Sequence, residues 1–175
     1  MVVGSLYLPK DNPNKPLGED ADWALKGIDA GIYARELMKG DHVNPKRVLE
    51  EAYKNTNSKG SSIACIITLN SVKNTIVVAN VGDSGFLLII KGKIIHKSPI
   101  QQREFGCPYQ LGNCNSDSHN VAQEMELNVE KDDILIVGTD GMLDNIFESE
   151  IEETVRRAID EKLKAEELAS QNIAL

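Results

Sequence analysis

Carboxylates stand at three places where a short stretch of this chain gives way to glycine or serine. Glu19 and Asp20 lie in GEDA, Asp83 in NVGDSGF, and Asp140 with Asp144 in TDGMLDN. Oxygen donors with little histidine or cysteine nearby are the ligand set of hard divalent ions such as Mg²⁺ and Mn²⁺. Acids drawn together repel one another unless a cation lies between them, so a metal also removes the cost of burying them. The flanking Gly and Ser let backbone come close to whatever the acids hold. A plainer reading is turn chemistry, because Asp bonds readily to nearby backbone in Asp-Gly and Asp-Ser turns. Three such sites at once weigh toward the metal.

The elements that must position these acids can be read from periodicity. Residues 26–55 are expected to be helical. Ile28, Ile32 and Leu37 repeat with a helical stagger, and Asn44-Pro45 supplies an N-cap and a first-turn proline for a second helix. Val48, Leu49, Ala52 and Tyr53 fill one face of it. From Ser61 to His96 the runs SSIACIITL, TIVVANVG, SGFLLII and KIIHK form a strand meander, apolar enough to be covered on both faces. Residues 99–120 are polar and Gly-rich with no clear element, and a loop of that length in a compact domain is usually functional or mobile. Strands are expected again at 122–129 and 134–137. The chain then closes with a helix capped by Ser149 and Glu152, its buried stripe made of Ile151, Val155, Ala158, Ile159 and Leu163.

Composition narrows the classes. With 175 residues, 41% of them hydrophobic, the chain suits one globular domain and not a disordered one. Nineteen basic against 27 acidic residues leave a net charge of −8, which argues against a nucleic-acid surface. No apolar run approaches the length of a membrane span, and no secretory or transit signal is expected at the start. Three cysteines, Cys65, Cys107 and Cys114, suit a reducing compartment better than a disulfide scaffold. His42, His96 and His119 stand beside no motif and are expected on the surface or in turns. Trp23 is expected to anchor the core.

GEDA, GSSIACIITL, ANVGDSGFLL, SPIQQREF with CPYQL, and ILIVGTDGMLDN follow one another in an order and spacing that resemble the metal-dependent serine/threonine phosphatases of type 2C. The likeness is greatest to the compact branch whose best-known members act on mitochondrial proteins, and it runs from Gly18 to about Leu168. It implies an α+β fold, a four-layer α-β-β-α sandwich of two antiparallel sheets flanked by helices. Residues 1–17 would then be an N-terminal extension and 18–175 a phosphatase-like domain, with a flap-like loop at about 99–120. It further implies a binuclear Mn²⁺ or Mg²⁺ centre. Glu19, Asp20, Asp22, Asp83, Asp140 and Asp144 are the candidate metal residues. Asp20 and Asp140 are the most directly catalytic of them, and Asp83 with Asp140 could hold a weaker third ion. A metal-activated water would attack a phosphoserine or phosphothreonine of a protein substrate, with no covalent intermediate. Cys65, within a strand, is then a packing residue and not a nucleophile. The expected compartment is the cytoplasm, with the mitochondrion as the alternative.

Two departures from the pattern stand out. The family's Asp-Gly-x-Gly-Gly element, whose aspartate bridges both metals, is missing between GEDA and Trp23, where only Asp22 remains. The aspartate-bearing strand expected near the family's C-terminus has no counterpart before Leu175. Either residues are left out of the sequence in hand, with Asp22 as the bridging aspartate or merely the residue after GEDA, or the chain lacks both elements and binds metal weakly or not at all. On the second alternative the protein is an inactive relative that uses the fold to bind partners.

Overall fold

A computed structural model describes residues 43–56, 60–112, 116–164 and 167–168. The expected helix over 26–41, Trp23 and His42 lie outside them. The described chain divides into two units, one formed by residues 43–85 and 99–131, the other by 86–98 and 132–168.

In the first unit, helix α1 (Pro45–Asn55) starts as the sequence predicts. The Asn44 side chain accepts from the Arg47 amide, and Pro45 sits in the first turn, where its missing N–H costs nothing. Its buried face, Val48, Leu49 and Ala52, lies on a three-stranded antiparallel sheet ordered β2 (Ala64–Asn70), β3 (Thr75–Val81) and β9 (Gln123–Asn128). Cross-strand partners share a face. Ala64 pairs with Val81 and Ile66 with Ala79, and these residues gather with Leu49 and Leu111 into one core. On the same face, Glu124 opposite Ala79 takes an ion pair from Lys46 of the helix. The other face carries Val78 with Met125, and then a polar row of Cys65, Asn80 and Gln123. β9 alternates half-buried and exposed residues, while β3 is buried almost throughout.

Residues 99–120 are not the featureless loop that their composition suggests. They hold a small antiparallel hairpin of β6 (Gln102–Glu104) and β7 (Cys107–Pro108) and a short strand β8 (Leu111–Gly112) that pairs with β1 (Ser61–Ser62), followed by a 3-10 turn His119–Val121. Polar side chains supply the order. Asp117, 8% exposed, receives Arg103 and the Gln110 amide, and Arg103 lies over the Tyr109 ring. Apolar periodicity cannot register such ties.

The second unit has β4 (Gly85–Ile90) between β10 (Ile134–Gly138) and β5 (Lys93–Lys97). Lys91 and Gly92 both take positive φ, the twist that a two-residue hairpin between β4 and β5 requires. Helix α3 (Glu148–Asp160) packs Ile151 and Val155 against Leu87 and Ile89. This helix begins before the expected cap at Ser149. Glu150 accepts from the Phe147 amide instead, which is half of a capping box, since Phe has no acceptor to return. Ile159 of the expected stripe is 46% exposed, and Thr154 takes an inward position in its stead. Among the described residues no helix is long and apolar enough to cross a membrane.

Candidate functional site

The Asp83 turn is set by the residue before it. β3 ends at Val81, and Gly82 has φ +101°, a conformation that L side chains rarely adopt. A Cβ at Gly82 would overlap Ile63 and come within 2.9 Å of the Tyr109 carbonyl. The Gly82 carbonyl accepts from the Gln101 amide at 3.0 Å, and the Gln101 carbonyl accepts from Tyr109 at 3.1 Å. The base of the β6–β7 hairpin is therefore fastened directly to the turn that presents Asp83. Asp83 is half-buried and Ser84 is buried.

The second acidic turn is pinned from below. After β10, Thr139 is extended and its carbonyl accepts from Met142 and Leu143, opening the four-residue helix α2 (Asp140–Leu143). The Asp144 amide donates to Asp140 at 2.8 Å, and the Asn145 side chain donates to Gly141. Leu143 and Ile146 pack into the Leu87–Ile151 core. The apolar residues hold the turn down, and Asp140 and Asp144, one helical turn apart, stay exposed.

Asp140 and Asp144 thus share one turn, and Asp83 occupies a turn of the other unit. Glu19, Asp20 and Asp22 lie outside the described residues. Among the described residues no three His, Cys, Asp or Glu side chains gather in a way that could hold a metal ion. The donor chemistry of both described turns, carboxylate with no histidine or thiolate, nevertheless fits Mg²⁺ or Mn²⁺ and suits softer metals poorly. A complete site requires acids beyond these turns.

Other candidates resolve more simply. Burial pushes the Cys65 thiol up to about 11, so it is a neutral packing group near neutral pH. Of the two described histidines, His119 lies in a turn, as expected, whereas His96 lies within β5. His96 stacks on Phe86 with Nε2 buried, and His119 tilts against Tyr53 with Nδ1 buried. Flat rings that cover apolar neighbours leave no sequence signature. Sequence reasoning also passed over Lys97 and Phe147, which line a cleft of about 420 Å³ together with Asp144. A phenylalanine just before a run of acids that opens a helix was the available signal.

Against known proteins, no family model matches the chain. It is 36% identical to probable protein phosphatase 2C 55 of Arabidopsis thaliana over 202 aligned positions, covering 97% of this chain and 43% of the relative. The protein phosphatase PTC7 homolog fig of Drosophila grimshawi is 36% identical over 74% of the chain and 50% of its own length. The chain belongs to the protein phosphatase 2C family. The X-ray structure of the photosystem II phosphatase PBCP agrees, superposing with a TM-score of 0.74 at 28% identity over 87% of this chain and 62% of that one.

This protein phosphatase 2C relative spans about half the length of the curated proteins it matches. The first match runs over 202 positions although the chain has 175 residues, so the Arabidopsis protein has residues there without counterparts here.

Proposed function

We propose that the protein is a metal-dependent phosphoserine/phosphothreonine phosphatase. The observation that carries this reading is the 36% identity over 97% of the chain to a probable protein phosphatase 2C, with an acid turn ordered in each described unit. Of the six candidates, Glu19, Asp20, Asp22, Asp83 and Asp140 are the residues that would hold Mn²⁺ or Mg²⁺, with Asp144 the accompanying acid of the Asp140 turn. When bound, such ions lower the pKa of a coordinated water and neutralise charge on a phosphoryl group. The chain's own part is positional. Gly82 and Gln101 fix the backbone of the Asp83 turn, and Leu143 with Ile146 anchors the Asp140 turn, so the backbone that carries each carboxylate is already placed.

Purified protein is expected to hydrolyse p-nitrophenyl phosphate with Mn²⁺, to stop on chelation, and to lose at least about tenfold in rate as Asp83→Asn, the loss of about 1.4 kcal/mol of transition-state stabilisation. Turnover that persists in EDTA contradicts the proposal. A second reading, a non-catalytic member that binds phosphoproteins, is favoured by the aligned positions of the Arabidopsis relative that have no counterpart here. It predicts peptide binding with no Mn²⁺-dependent turnover.

A further inference from the structure

The cleft beside the Asp140–Asp144 turn is built entirely within one unit, from Lys97, Leu143, Asp144, Ile146, Phe147 and Glu148 among others. At about 420 Å³ it is in the range of sites that accept a small ligand or one large side chain. Its charges are not balanced. Lys97 is taken by Glu148 at 3.0 Å, whereas no side-chain hydrogen bond or ion pair is found for Asp144 among the described residues. The uncompensated charge is therefore a carboxylate.

Phe147 stands on the rim, 77% exposed. Its backbone is fixed: the amide donates to Glu150 at 2.9 Å, and the carbonyl accepts from Glu150 and Ile151. An aromatic ring held out by a rigid backbone loses little entropy on making a contact, and its face attracts cations. A free carboxylate, an exposed aromatic face and apolar walls from Leu143 and Ile146 together match one side chain well. Arginine has an apolar stem, a planar cation that stacks on rings, and a fork that grips a carboxylate. The net charge of −8 favours the approach of basic segments for the same reason.

We infer that this cleft reads an arginine beside the phosphorylated residue of a protein substrate, with Phe147 stacking on the guanidinium and Asp144 pairing with it. The inference rests on the phosphatase-family reading for the phosphorylated residue, but the cleft can be tested without turnover. It also gives Asp144 a role other than metal ligation.

The experiment uses the full chain and fluorescein-labelled phosphoserine peptides that differ only in the next residue: Arg, Ala or Glu. Fluorescence anisotropy is recorded without added metal, and dephosphorylation is then followed with Mn²⁺. The Arg peptide is expected to bind about fivefold tighter than the Ala peptide, with the Glu peptide weakest. The preference should fall to near one in Phe147→Ala and return in Phe147→Tyr. Truncating so exposed a ring should leave the melting temperature unmoved, which separates lost contact from lost fold. Equal binding of Arg and Ala peptides, a preference that survives in Phe147→Ala, or no binding of any peptide overturns the inference. Binding with the Arg preference but without Mn²⁺-dependent dephosphorylation upholds the cleft and counts against the catalytic reading alone.

Discussion

Gly82 shows how a single residue can decide whether a carboxylate is in place. Its positive φ and the absence of a Cβ let β3 end against Ile63 and the Tyr109 carbonyl, and Asp83 follows at once. Gly82→Ala meets both backbone strain and overlap with neighbours that cannot easily yield. A loss of roughly 2 kcal/mol or more in urea unfolding is expected; an unchanged midpoint would mean the turn is looser than described. Glu152 acts at the same scale. It accepts from Lys93 at 2.8 Å and from the Ile94 amide at 2.9 Å, and these bonds hold its carboxyl below the usual range. A lowered folded-state pKa contributes stability above the unfolded value, and this stability disappears as pH falls through the folded one. The melting-temperature gap between wild type and Glu152→Gln should therefore be present at pH 7 and close as pH drops below about 4. A gap that widens on acidification would reverse the assigned sign.

The elements with strong apolar periodicity were legible from sequence. Asn44-Pro45 marked the start of α1, Val48, Leu49 and Ala52 marked its buried face, and the four runs from Ser61 to His96 became strands. What escaped was order made by polar contacts. The β6–β7 hairpin is held by Arg103, Asp117 and backbone bonds, and α3 is capped by Glu150 where Ser149 and Glu152 looked suited. At the candidate site, sequence named the acids of TDGMLDN and NVGDSGF but not what fixes them. The Gln101–Gly82 bond joins positions far apart in the chain, and nothing local announces it. Leu49, 2% exposed, links α1 to Ala64, Ala79 and Val81. Leu49→Ala should cost about 2–5 kcal/mol in chemical denaturation, and less than 1 would mean that the helix contributes little to this core.

Across the whole molecule, identity to protein phosphatases 2C extends over nearly the full chain, while the chain spans about half of those proteins. Family membership follows from that likeness; metal-dependent catalysis is the proposal built on it. The acids at stake are carried by separate segments, Asp20 before the described residues, Asp83 after β3 and Asp140 after β10. The central claim is that folding makes Asp140 a ligand of a divalent cation. Calorimetric titration of Mn²⁺ into wild type and Asp140→Asn tests it most directly. Saturable binding in the wild type that weakens at least about tenfold in the variant, about 1.4 kcal/mol, is the predicted result. Indistinguishable isotherms for the two proteins would contradict it.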